Sequence, residues 1–275
     1  GALKMTKSFF KIFLIFLLVG LFCSQLAYSQ DRPIEIRISS SAHSQTSEYK
    51  VSEARGFGLG AQMKFRLRQN LDFNLNVHYD YSFLEQNDVL DEWEWDYWED
   101  TYIDFIPGAE PEIINKTLVY TSTDSIYSAV FDPTQRLQEL KLSLGFDYSF
   151  PLTNRLSLYA GFDGGFSLFF RELKMQEHWT KRFKTDSLST EKFDYEFEYD
   201  LLHFAPTKKG HKFYASSFIG TKFYLSKSLD LDVGVHYINY FHREKLLRIK
   251  LSENARRWFP IKSKVMVTFG LTFKY

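Results

Sequence analysis

His78, Asp80 and Ser82 fall at alternate positions of one extended run, Leu71 to Phe83. A histidine, a carboxylate and a hydroxyl on one strand face are the residue types of nucleophilic acyl transfer. In that chemistry the histidine takes the serine proton and the acid orients the histidine. Converging at an outer rim with access from lipid, they would make a lipid-modifying enzyme; on the strand's alternation, however, all three point inward. His78 and His236 are a second pair with chemical capacity, near Asp80 and Tyr240, in metal binding or acid–base work. Spacing fixes no third ligand, so the expectation is two histidines satisfied by interior partners. No catalytic residue, metal site or cofactor is assigned.

The segment Asp91 to Asp100 interleaves acids with large aromatics, and no Lys or Arg occurs between Arg68 and Lys116. Trp93, Trp95, Tyr97 and Trp98 are therefore candidate binding residues on a loop surface, for sugar or a basic protein. Calcium is a further possibility through the carboxylates, though without a fixed ligand spacing. The plainer alternative is that the aromatics pack neighbouring loops while the acids face solvent. Alternation places Trp93, Trp95 and Tyr97 on one side, which predicts a hairpin standing above the membrane, with its return strand near residues 116–121 or 125–131. Residues 242–260 carry the opposite charge. There Arg243, Arg248, Arg256 and Arg257 are candidates for pairing with the acidic loop or for charge-assisted contacts to lipopolysaccharide phosphates. The triplets Asp124-Ser125-Ile126 and Asp186-Ser187-Leu188 have the form of a short O-glycosylation acceptor.

The elements that must carry these residues follow from a period of two. Residues 264–275 put Val265, Val267, Phe269, Leu271, Phe273 and Tyr275 on one face and Lys264, Thr268, Gly270 and Lys274 on the other. A membrane helix needs about 20 consecutive apolar residues; strict alternation instead fits a strand with one face in lipid and one on a polar lumen. The pattern recurs over residues 34–38, 57–67, 71–83, 140–150, 156–170, 212–225 and 229–241. Eight strands result, joined by short turns on one side and by long connections on the other, at roughly 43–55, 84–135, 171–210 and 242–260. Lipid leaves no unpaired backbone group, so the sheet must close. The expected fold is all-β, an antiparallel up-and-down transmembrane barrel of eight strands with long extracellular loops. An even strand count puts both termini in the periplasm.

Composition agrees. The chain has zero formal net charge, 28 Phe and 17 Tyr among 275 residues, and 18% aromatic content. Zero net charge argues against general nucleic-acid binding, and aromatic girdles at the lipid interfaces account for the Phe and Tyr. Lys4, Lys7 and Lys11 around the apolar run Ile12–Phe22, followed by Ala27-Tyr28-Ser29, read as a secretory signal peptide spanning residues 1–29. The barrel domain is then residues 30–275, which contain no cysteine, since Cys23 lies in the signal. Stability must come from pairing and packing rather than from disulfides.

The whole of residues 30–275 resembles the small outer-membrane β-barrel families, and turn-rich stretches such as Tyr148-Ser149-Phe150 with Pro151-Leu152-Thr153-Asn154 look like barrels of the Bacteroidota. The resemblance implies that the terminal aromatic strand, with Phe273 and Tyr275, is the signal read by the barrel-assembly machinery. Outer-membrane lipid and lipopolysaccharide are then the surroundings, and a protein partner in the envelope is expected.

An eight-stranded lumen is only wide enough for side chains to fill. Arg37, Lys64, Arg66, Lys141, Lys222, Lys264 and Lys274 are expected to face Glu35, Asp72, Asp80, Glu139, Asp147, Asp163, Asp230 and Asp232 as a salt-bridged plug. The functional expectation is a non-enzymatic surface or scaffold barrel, as a subunit of an envelope complex or as a displayer of binding loops. A small channel and an outer-leaflet lipid-modifying enzyme are the alternatives.

Overall fold

The computed structural model describes residues 34–47, 51–86, 88–183, 195–241 and 258–275. The expected signal peptide, Cys23, the second acceptor triplet and Arg243, Arg248, Arg256 and Arg257 lie outside the described residues.

Among the described residues, ten antiparallel strands form one sheet: β1 (Ile34–Ser47), β2 (Val51–Arg68), β3 (Leu71–Gln86), β4 (Val119–Thr121), β5 (Tyr127–Thr153), β6 (Leu156–Phe183), β7 (Tyr195–Phe204), β8 (Lys208–Tyr224), β9 (Leu229–Phe241) and β10 (Ile261–Lys274). Eight of them close a ring in the order β1-β2-β3-β5-β6-β8-β9-β10, with β10 pairing back onto β1. These are the eight strands read from the alternation. The ends of the chain segment in the ring meet, the Tyr275 amide donating to the Ile34 carbonyl at 3.0 Å. Closure leaves no edge in the apolar belt.

Sidedness follows the pleat. Along β5, even-numbered residues point out and odd-numbered residues point in. The outward row is apolar from Leu140 to Phe150 and becomes Val130, Asp132, Thr134, Arg136 and Gln138 above it; on β6 it changes from Phe170 to Glu172 and Lys174. A membrane-crossing strand needs about 9–11 residues, and the run from Leu140 to Phe150 meets that length. The rest of β5 and β6 therefore projects beyond the bilayer on the side away from the short turns.

Here the structure departs from the sequence reading. The connection placed at 43–55 is mostly strand, because β1 continues to Ser47 and β2 starts at Val51. Those placed at 84–135 and 171–210 also contain strand, since β5 and β6 are 27 and 28 residues long. Above the rim, β4, β5, β6 and β7 form a four-stranded sheet in that order.

The acidic aromatic segment is not the expected hairpin. It folds as the helix α1 (Val89–Trp93), a π-helical turn (Trp98–Tyr102), a 3-10 turn (Ile103–Phe105) and the helix α2 (Pro111–Thr117). Leu90, Trp93, Trp98, Ile103, Ile106 and Ile114 are all buried, at spacings that helical turns and not a strand bring to one side. Glu94, at φ 51°, ends α1 in the left-handed region and lets Trp95 also turn inward. The two stretches proposed for the return strand instead pair with each other, Val119–Thr121 against Ser128–Val130.

An ion-locked lumen beneath an aromatic cap

The lumen charges form linked layers. Nearest the short turns, Lys222 binds Glu35 at 2.9 Å, Arg66 binds Asp72, and Lys274 binds Asp230 at 2.8 Å. Next come Lys64 with Asp147 at 2.5 Å and Arg37 with Asp232, whose carboxylate also accepts from Thr272 at 3.0 Å. Towards the outer rim, Asp80 takes Lys141 at 2.7 Å and Lys264 at 2.6 Å, while Lys264 bridges to Glu139 at 2.5 Å. Tyr240 and Ser167 complete Glu139 at 2.7 and 3.0 Å. Fourteen of the fifteen charges expected inside are held in ion pairs with one another; the remaining one, Asp163, lines a cavity. A lone buried charge is costly whereas a paired one is tolerated, so this plug fits a narrow interior.

That cavity, of about 50 Å³, interrupts the layers and is bordered by Arg37, His78, Lys141, Asp163, Tyr214 and His236. The two expected inward histidines thus share one space. His78 contacts Asp80 at 2.9 Å and Ser41 at 3.1 Å, and His236 contacts Thr268 at 3.4 Å. Gly58 and Gly60 of β2 make this possible, because a Cβ on either would collide with the His78 ring. Among the described residues, no three His, Asp or Glu side chains converge as metal ligands.

The triad considered for acyl transfer is rearranged. Ser82 lies 3.0 Å from Nε2 of His43, not against His78, and the other nitrogen of His43 stands 3.8 Å from Asp80. Ser82 also accepts from Gln45 at 2.6 Å, and the side chains of His43 and Asp80 have no solvent exposure. Lys141 and Lys264 both hold Oδ2 of this carboxylate, and His78 is nearest to its Oδ1. His43 was missed because Ser39, Ser41, His43 and Gln45 alternate with Ser40, Ala42 and Ser44, so β1 loses its apolar signature after Ile38 while still pairing with both neighbours.

Above the ion pairs, Arg171 donates to Gln135 at 3.1 Å and to Gln86 at 2.6 Å, and its guanidinium lies 5.3 Å from the centroid of the Trp93 ring. Trp93 meets Trp258 edge-on at 5.6 Å. Trp95 and Trp98 stack at 5.6 Å, Trp98 and Tyr102 at 5.2 Å, and Phe131 of β5 meets Trp98 edge-on at 5.6 Å. The Trp98 indole donates to Asn115 at 3.2 Å, which in turn donates to Asp91 at 2.8 Å. Three of the four residues expected on a binding surface, Trp93, Trp95 and Trp98, are therefore core of a cap over the lumen. Only Tyr97 of the four is exposed. Burying three indoles removes more apolar area from water than any loop contact with solvent would recover.

A buried carboxylate ties this cap to the sheet. Glu177 of β6 accepts from Tyr102 at 2.6 Å and from the Trp179 indole at 2.5 Å, and stands 3.2 Å from His203 of β7. Burial, then the bond to Glu177, pushes the Tyr102 phenol above its ordinary range. Burial raises Glu99 as well, helped by the repulsion of Asp91, Asp100, Asp96 and Glu94. Phe273 and Tyr275 end the ring beside β1, with the Tyr275 ring exposed. Ser125 of the first acceptor triplet sits in the β4–β5 turn at φ 60°.

No protein-family model matches this chain, and no curated protein does. Solved structures to which it is similar include Neisserial surface protein A, at 12% identity and TM-score 0.40 over 88% of this chain and 97% of the other. OprG from Pseudomonas aeruginosa gives 10% identity and TM-score 0.41 over 89% and 96%. A major outer membrane protein from Thermus thermophilus gives 10% and 0.41 over 87% and 99%. The chain itself folds as an eight-stranded antiparallel barrel with up-and-down strands.

Proposed function

We propose that this protein is a non-catalytic integral outer-membrane barrel whose extracellular cap and sheet form a recognition surface for a protein of the envelope. The observation that carries the reading is the division of the molecule. An ion-paired lumen is closed above by the Arg171–Trp93 layer, while β4, β5, β6, β7 and the cap helices build an ordered structure beyond the apolar belt. Long ordered structure outside a filled barrel is more than a connection requires. The short turns and both termini face the periplasm in this reading, and Phe273 and Tyr275 serve recognition by the barrel-assembly machinery. Arg243, Arg248, Arg256 and Arg257 meet lipopolysaccharide phosphates or the acids of the cap.

Gentle detergent extraction of the tagged native protein, followed by native sizing and mass spectrometry, tests this. A reproducible stoichiometric partner is expected; a lone barrel with no partner at any detergent strength contradicts it.

A further inference from the structure

The sheet above the rim ends, within the described residues, in an open strand. Among the described residues, β7 pairs only with β6, in register from Lys174↔Phe204 to Phe183↔Tyr195. Its other edge presents a row of backbone donors and acceptors. Proteins usually protect such an edge by shortness, charged side chains (lysine above all), proline or a bulge. The opposite end of the sheet is protected in this way, since β4 has three residues. β7 has ten, Tyr-Glu-Phe-Glu-Tyr-Asp-Leu-Leu-His-Phe, with no proline and no lysine, and its charged residues are the three acids Glu196, Glu198 and Asp200, which disfavour an acidic strand but not a basic one.

Its side chains separate by face. Towards the cap run Tyr195, Phe197, Tyr199, Leu201 and His203, with Phe197 57% exposed. On the other face run Glu196, Glu198, Asp200, Leu202 and Phe204, with Phe204 69% exposed. The existing neighbour shows what this arrangement accepts. On β6, Arg182 meets Glu196 at 2.7 Å and His178 meets Asp200 at 2.7 Å, each directly across the ladder.

We infer that the β7 edge is a docking site for an extended segment of another protein, which adds as an antiparallel strand with basic residues on one face and apolar residues on the other. This rests on the recognition reading above and names its chemistry. Main-chain bonds supply affinity in strand addition, and alternate side chains supply choice. Basic residues would lie beside Glu196, Glu198 and Asp200, and apolar ones beside Phe197 and Leu201. A second copy of this chain fits poorly. Two copies in one membrane both run β7 toward the bilayer, so their edges would meet in parallel through a two-fold axis that sets the acidic face of one beside the aromatic face of the other, and Glu196, Glu198 and Asp200 would meet no basic residue.

The test uses the full chain refolded in detergent and a labelled ten-residue peptide alternating arginine or lysine with valine and phenylalanine. Two controls are a charge-reversed peptide and one with alternate amides N-methylated, which keeps the side chains but removes ladder bonds. Anisotropy is expected to show saturable binding of the basic peptide and at least tenfold weaker binding of both controls. Hydrogen exchange should slow in β7 and nowhere in the membrane belt. Combined Glu196→Lys, Glu198→Lys and Asp200→Lys, in protein that still shows folded-barrel gel mobility, should reverse the charge preference. Equal binding of the N-methylated peptide, β7 amides already protected on both edges in the free protein, or no binding at all would overturn the inference. If a native partner still co-extracts in that case, only the edge assignment falls; if none does, the recognition reading falls with it.

Discussion

Lys264 of β10 crosses the lumen to Asp80 of β3, Nζ to Oδ2 at 2.6 Å, and neither side chain has any solvent exposure. The two strands are not neighbours in the ring, since β1 and β2 lie between them. This ion pair therefore braces the barrel across its width, and Glu139 of β5 extends the brace to a third strand.

Lys264→Met should cost about 3–5 kcal/mol, the usual penalty for leaving a buried partner charge uncompensated. Denaturant unfolding in detergent micelles reads it. Adding Glu139→Gln should recover part of the loss, because it removes a charge that would otherwise stand unpaired. Full additivity of the two losses would mean that the residues do not act as one network.

If the ion-paired layers fill the lumen as proposed, they leave no continuous ion path. In planar bilayers the purified protein is expected to give no discrete conductance steps between neutral pH and mildly acidic pH. Steady unitary currents with a fixed ion preference would instead support the channel alternative.

Tyr102→Phe removes a donor from the buried Glu177. A loss of about 1–3 kcal/mol is expected, confined to the cap. Hydrogen exchange should quicken in residues 88–117 and in β7 while the barrel strands stay protected. Uniform destabilisation of the strands would contradict the separation between cap and barrel.

The fold's strands and the lumen's chemistry were legible because lipid and a narrow interior impose a strict period of two on every ring strand. Fourteen charges predicted to face inward from that period alone are ion-paired inside. β1 beyond Ile38 was illegible for the complementary reason: Ser40, Ala42 and Ser44 are small or polar on the lipid-facing side, so no apolar alternation marks the strand that carries His43. The cap misled because Trp93, Trp95 and Tyr97 alternate by chance as a strand would. Their real arrangement depends on the left-handed Glu94 and on the packing of Trp98 against Phe131, a contact between residues far apart in the chain.

Acid–base behaviour of the cap follows from two shifts. Glu99 has a folded-state pKa above its ordinary 4.5, so the fold holds its proton more tightly than the unfolded chain. Its effect on the cap is then neutral below that ordinary value and unfavourable once pH rises through the raised one. Glu99→Gln should stabilise the cap slightly at neutral pH, by less than about 1 kcal/mol for a half-buried group still in contact with solvent, and make no difference in acid well below that ordinary value.

Tyr102 acts at the other end of the scale. Its raised pKa means that the native cap needs the neutral phenol, so stability is intact below the ordinary tyrosine value of 10 and declines as pH rises above it. Limited proteolysis across the alkaline range should show cap cleavage increasing above that value, and Tyr102→Phe should flatten the increase.

The proposed role of the structure beyond the membrane is to recognise a protein. Photo-crosslinking in living cells tests it most directly, with a photoreactive phenylalanine analogue placed singly at Phe105 on the cap, Phe197 on β7, and Phe57 in the lipid belt. Phe105 and Phe197 are exposed above the rim, and Phe57 is exposed on the apolar face. A discrete, high-yield protein adduct is expected from Phe105 or Phe197 and none from Phe57. Adducts from none of the three, or from Phe57 alone, would contradict it.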